Sequence, residues 1–193
     1  MNDFIIKPRA VDIPVYSTGQ RPVNIDNKKV LRKQDVIVAT DNTINKIVDS
    51  AYNEMLENDQ TYLDLSNVNV SNVTDMSFLF ENCDVVKEIN ISNWNVSHVE
   101  NMNGMFFDCD SLEKLDLSNW NTISLMTCNQ MFANDDKLKS TGDLSNWNTD
   151  KLKYASQMFN GCESLEFIGD ISKWTGEHNY FTENSFKNCP LVK

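Results

Sequence analysis

From Leu63 onward, apolar and polar positions recur in a fixed order. The first unit opens Leu63-Asp64-Leu65-Ser66-Asn67 and the second Ile89-Asn90-Ile91-Ser92-Asn93. The third opens Leu115-Asp116-Leu117-Ser118-Asn119 and the fourth Gly142-Asp143-Leu144-Ser145-Asn146. A weaker fifth opens Gly169-Asp170-Ile171-Ser172-Lys173. The second apolar position falls at 65, 91, 117, 144 and 171, in steps of 26, 26, 27 and 27. The phase persists through Phe80, Phe106, Phe132, Phe159 and Phe186, then through Cys83, Cys109, Asp135, Cys162 and Cys189. It ends each unit at Val86, Leu112, Leu138, Leu165 or Val192. The apolar–polar–apolar opening predicts a short strand. Val73, Met76, Phe80 and Cys83 follow at i, i+3, i+7 and i+10, as do Val99, Met102, Phe106 and Cys109. That spacing predicts a short helix, with Ser97 and Glu100 as a capping box. One such unit cannot bury its own stripe, so the expected fold class is an α/β solenoid of five stacked 26–27-residue strand–helix units.

Ahead of the repeats, Ile44, Ile47, Val48, Ala51, Met55 and Leu56 mark one face of a helix, with Asp41 or Thr43 as N-cap. This capping helix, within residues 41–60, covers the open edge of the first unit. Residues 1–40 hold Pro8, Pro14 and Pro22 and one or two short apolar runs, and read as an extended arm with one or two strands. The repeats occupy residues 61–193.

Charge separates these parts. Residues 1–33 carry Lys7, Arg9, Arg21, Lys28, Lys29, Arg32 and Lys33 against three Asp, a balance of +4. The remaining 10 basic and 25 acidic residues give −15, for a chain total of −11. An acidic body excludes nucleic acid as its partner, and no run approaches the ~20 apolar residues of a membrane span. Pro8 and Arg9 interrupt the first apolar run, so no export signal is expected and synthesis in the cytoplasm is. The 26 Asn include Asn67, Asn93, Asn119 and Asn146, and Asn69, Asn95, Asn121 and Asn148. These columns imply an amide that bonds the corner backbone and its stacked neighbour.

Candidate chemistry is thin. Cysteines 26 residues apart suit buried free thiols better than disulfides or metal ligands, and no cofactor or metal is expected. His98 and His178 have no recurring nucleophile partner, and a serine that recurs in every unit is structural, so the chain is read as no enzyme. Asp64, Asp116, Asp143 and Asp170 make an acidic stripe on the strand face, either an invitation to a cationic partner or divalent ions, or a solvated face balanced by nearby lysines. Trp94, Trp120 and Trp147 form a column that suits either a stacking platform for sugar or peptide, or corner packing.

The run Leu115 to Thr122, followed by Met-Phe-x-x-Cys-x-Ser-Leu as in Met105, Phe106, Cys109, Ser111 and Leu112, resembles the BspA-like leucine-rich-repeat family of bacterial and mycoplasma surface proteins. The resemblance covers about residues 43–193. It implies a leucine-rich-repeat-like stack and a role in adhesion or protein binding. With no export signal, the expected setting is a component of a larger assembly such as a phage virion, attached by its arm to protein partners. The alternative is an adhesin on the bacterial cell surface that binds a host protein or glycan.

Overall fold

The structure, a computed structural model, describes residues 15–16, 36–174 and 184–190. Three strands form one sheet: β1 (Val15–Tyr16), β2 (Val36–Thr40) and β4 (Val68–Asn72), in the order β1-β2-β4. β1 pairs antiparallel with β2, and β2 pairs parallel with β4. The helix α1 (Ile44–Glu57) lies between them in sequence. A second, two-stranded parallel sheet joins β3 (Tyr62–Asp64) to β5 (Glu88–Asn90).

α1 forms where the apolar spacing places it, and Ile44, Ile47, Val48 and Met55 are buried. Leu56, expected on that face, is 40% exposed. Neither expected cap acts as one. Thr43 occupies the N-cap position without a side-chain cap bond and instead contacts Thr40. Asp41 reaches forward to the first repeat. Its Oδ1 accepts the N–H groups of Thr74 (2.7 Å) and Asp75 (3.2 Å), and its Oδ2 accepts the Thr74 hydroxyl (2.8 Å). In later units the same pair of N–H groups is received by a backbone carbonyl one unit back. Thr74 receives Glu100 and Asn101, Glu100 receives Met126 and Thr127, and Met126 receives Lys153 and Tyr154. Asp41 thus supplies the acceptor that a missing earlier unit would have provided.

The expected α/β solenoid of five strand–helix units is overturned. Among the described residues the one α-helix precedes the repeats, and strands persist only in the first two units. Later units meet through single parallel bridges, Lys114 to Ser140 and Ser140 to Phe167 on one edge, Asn101 to Thr127 and Thr127 to Tyr154 on another. The segments read as helices are successive turns. Within these segments of the first four units two residues have positive φ: Phe78 and Asn82, Gly104 and Asp108, Gln130 and Asn134, Gln157 and Gly161. A left-handed residue every fourth position forbids an α-helix. The hydrogen bonds agree. Phe78, Phe80 and Asn82 donate to Asn103, Met105 and Phe107 of the next unit, while Leu79, Glu81 and Cys83 close turns onto residues three back. Backbone donors are divided between the neighbouring unit and local turns, and none remains for an i to i−4 ladder. Ser97 therefore caps no helix; its N–H donates to Asn95.

The units nonetheless stack in register, and the interior is continuous. Phe80, Phe106, Phe132, Phe159 and Phe186 lie ring on ring with centroids 5.2, 5.5, 5.3 and 5.3 Å apart. Near-parallel planes at these separations are offset stacks. Met76, Met102, Cys128 and Ala155 form a second buried column beside them.

Candidate interaction face

The outer edge of each unit begins with an acidic or amide residue whose side chain shapes its own turn. Oδ1 of Asp64, Asp116, Asp143 and Asp170 accepts the N–H of Ser66, Ser118, Ser145 and Ser172, at 2.9 to 3.1 Å. These are Asx turns, in which a short polar side chain replaces a backbone acceptor two residues on. Asp64 also accepts the amide of Asn90 from the next unit at 3.1 Å. The serine hydrogen bonds hold the carboxyls of Asp143 and Asp170 below the usual range. Asp64, Asp116 and Asp170 are exposed, and Asp143 is half-buried. The acidic stripe is thus present, and one oxygen of each acid is committed to its turn.

The stripe constrains the glycines. Gly142 has φ +79, and a Cβ there would lie 2.7 Å from Asp116 Oδ1 and 2.6 Å from Ser118 Oγ. Where the repeat lengthens from 26 to 27, the extra residue is taken up by a left-handed glycine with no room for a side chain.

A second column runs beside the acids: Tyr62, Glu88, Lys114, Ser140 and Phe167 pair one after another. Tyr62 and Phe167, at its two ends, are 45% and 50% exposed. Sequence reasoning did not single them out, although their place two or three residues before the acid in each unit was visible. Lys87, Glu113, Lys139 and Glu166, one residue earlier in successive units, alternate in sign along the same edge.

The tryptophans are not a platform. Trp94, Trp120 and Trp147 are 3%, 2% and 4% exposed. Their indole N–H groups donate to the carbonyls of Leu65 (3.1 Å), Ile91 (3.3 Å) and Leu117 (3.2 Å) in the preceding unit. Trp174 does the same to Leu144. No ring face is left for a ligand, because each ring lies within the stack and its one donor satisfies a buried carbonyl. The first unit has Val68 at this position.

The Asn columns work mainly within their own units. Asn69, Asn95, Asn121 and Asn148 accept the N–H two residues ahead, at 3.0 to 3.3 Å. Asn93 reaches across, donating to the Ser66 carbonyl at 2.9 Å.

All five cysteines are free and buried. Burial pushes the Cys128 thiol up to about 12 and raises Cys162 further. Cys109 is raised by its hydrogen bond with Cys83 and by burial. Such thiols are inert packing groups. Among the described residues no three His, Cys, Asp or Glu side chains are grouped as a metal ion requires. No helix among them is long and apolar enough to cross a membrane. Lys7, Arg9, Arg21, Lys28, Lys29, Arg32 and Lys33 lie outside the described residues, as does His178; His98 is exposed.

No curated protein and no solved structure matches the chain. The model of a family described as "Mycoplasma protein of unknown function, DUF285" matches residues 50–174, well over half of the sequence. The chain belongs to that family.

Proposed function

We propose that the protein is a non-enzymatic interaction and structural component of a larger assembly such as a phage particle. Residues 1–33 attach it, and the stacked repeats are displayed. The repeats are taken as the BspA-like, leucine-rich-repeat type within the wider family. The observation that carries the reading is the opposition of charge, +4 on residues 1–33 against −15 on the rest. A basic segment joined to an acidic body suits attachment through one and display of the other. The repeated Asp, Ser, Asn, Trp and Cys side chains support it as well, since each has a packing or turn-forming job in nearly every unit.

Deleting residues 1–33 is expected to abolish incorporation into native particles, read by immunoblot of purified particles from producing cells. Undiminished incorporation overturns the proposal.

A second reading, an adhesin that engages a host protein or glycan, is favoured by one observation. The exposed Tyr62 and Phe167 share an edge with the acids. Under that reading, Asp116→Lys with Asp143→Lys abolishes capture of the full chain by host cells and leaves incorporation intact.

A further inference from the structure

The thiol column is broken in the middle. Cys83, Cys109, Asp135, Cys162 and Cys189 hold the same place in successive units, and all five are buried. The Cys109 thiol donates to the Phe80 carbonyl at 3.0 Å, and the Cys162 thiol to the Phe132 carbonyl at 2.9 Å. Asp135 has no exposed surface. Its Oδ1 accepts the Cys109 N–H at 2.9 Å, and its Oδ2 has no hydrogen-bond partner. The Cys109 N–H has been diverted to reach it. In the other units the same group closes a turn, Cys83 onto Phe80, Asp135 onto Phe132 and Cys162 onto Phe159. That diversion takes the N–H away from the Phe106 carbonyl, the repeat equivalent of the carbonyls that receive the thiols.

An ionised carboxylate here would be a buried charge with one oxygen unsatisfied, which is strongly unfavourable. The groups that act on it offer no relief. Asp108 and Asp110 come from the unit before and Asp136 stands beside it, all acidic. The Cys109 and Cys162 thiols lie on either side, and their own ionisation is also disfavoured. Lys137, two residues on, and Glu163, after Cys162, are exposed. A neutral acid resolves the conflict, because its O–H is a donor where the other units have an S–H.

We propose that Asp135 is carried as a neutral carboxylic acid at the centre of the stack and serves as a pH-sensitive latch, whose ionisation loosens the repeats at the third unit. Burial, only partly offset by the Cys109 hydrogen bond, holds the carboxyl well above its ordinary value of 3.8. A group raised on folding contributes stability that is complete below its unfolded value and is lost as pH rises through the folded one. Over that interval the folding constant falls about tenfold per pH unit from this group alone.

The direct test is carbon-13 NMR of the full chain with labelled aspartate carboxyls. One carboxyl is expected to remain protonated at pH values above the ordinary aspartate range, after the others have ionised. If every aspartate titrates within the ordinary range, the proposal fails. Thermal unfolding between about pH 5 and 8 gives the consequence. Asp135→Cys restores the residue of the other units and is expected to remove the decline of stability with pH; Asp135→Asn is the neutral isostere. A wild-type slope equal to that of either variant overturns the latch.

Discussion

The interior and the rim of the stack come from the same repeat but use side chains at different ranges. Inside, each phenylalanine meets its own kind from the adjacent unit and each indole reaches a carbonyl there. The four phenylalanine contacts and the indole bonds all span 26 to 30 residues. On the rim, Asp and Asn accept the backbone N–H two residues ahead. The interior therefore fixes the register between units, and the rim fixes the shape of each coil. Damage inside should spread to both neighbours, whereas damage on the rim should stay local.

The sharpest way to break this division is Phe132→Ala. The ring stacks on both Phe106 and Phe159 and is fully buried. Its removal should cost about 3–5 kcal/mol, as large-to-small core changes of aromatics do. Urea unfolding measures this loss. Phe106→Ala added to it should cost less than a second full increment, because the two share one contact. Strict additivity would show that the rings pack independently and that the interior does not couple the units.

Trp120→Phe tests the same division with a smaller change. It keeps an aromatic ring and removes the donor to the Ile91 carbonyl. That carbonyl keeps the Trp120-equivalent turn bond from Trp94, so the expected loss is about 1–2 kcal/mol. Hydrogen exchange should locate the effect in the second and third units together. A loss confined to the third unit would place the tryptophans with the rim.

The repeat period, the buried columns, α1 and the buried thiols were legible because each depends on spacing alone. The turns were not. Val73, Met76, Phe80, Cys83 and Val86 lie three or four residues apart, and successive i to i−3 turns present a face at that spacing almost as a helix does. A clue lay in Asn82, Asp108, Asn134, Gly161 and Asn188, one per unit. Asn, Asp and Gly are the residues that tolerate left-handed backbone, and all five have positive φ. Phe78 and Gln130 gave no such clue, being poor left-handed residues imposed by the stack. The tryptophans were ambiguous because an aromatic column reads alike inside or outside. What decides is the indole donor, which needs a buried acceptor from the unit before. Asp135 stood out as the odd residue of its column, but its unsatisfied oxygen depends on where the backbone of the preceding unit sends its donors and has no signature in spacing.

The smallest expected effect lies where interior logic meets the first end of the stack. Asp41 does with a side chain what the later units do with backbone carbonyls. Burial pushes its carboxyl up, but the Thr74 and Asp75 bonds outweigh that and hold it below the ordinary value of 3.8. A lowered carboxyl contributes stability above its unfolded value and loses it as pH falls through the folded one, the reverse of Asp135. Because Asp41 is largely exposed, solvent weakens the effect, and Asp41→Ala should cost only about 1 kcal/mol at neutral pH. Asp41→Asn keeps an acceptor for the two N–H groups and removes the titration, so it should lose less and flatten the acid limb below about pH 4. Thermal unfolding of the three chains from about pH 3 to 7 separates charge from geometry. If the Asn variant is as unstable as the Ala variant at neutral pH, the charge and not the acceptor closes the stack.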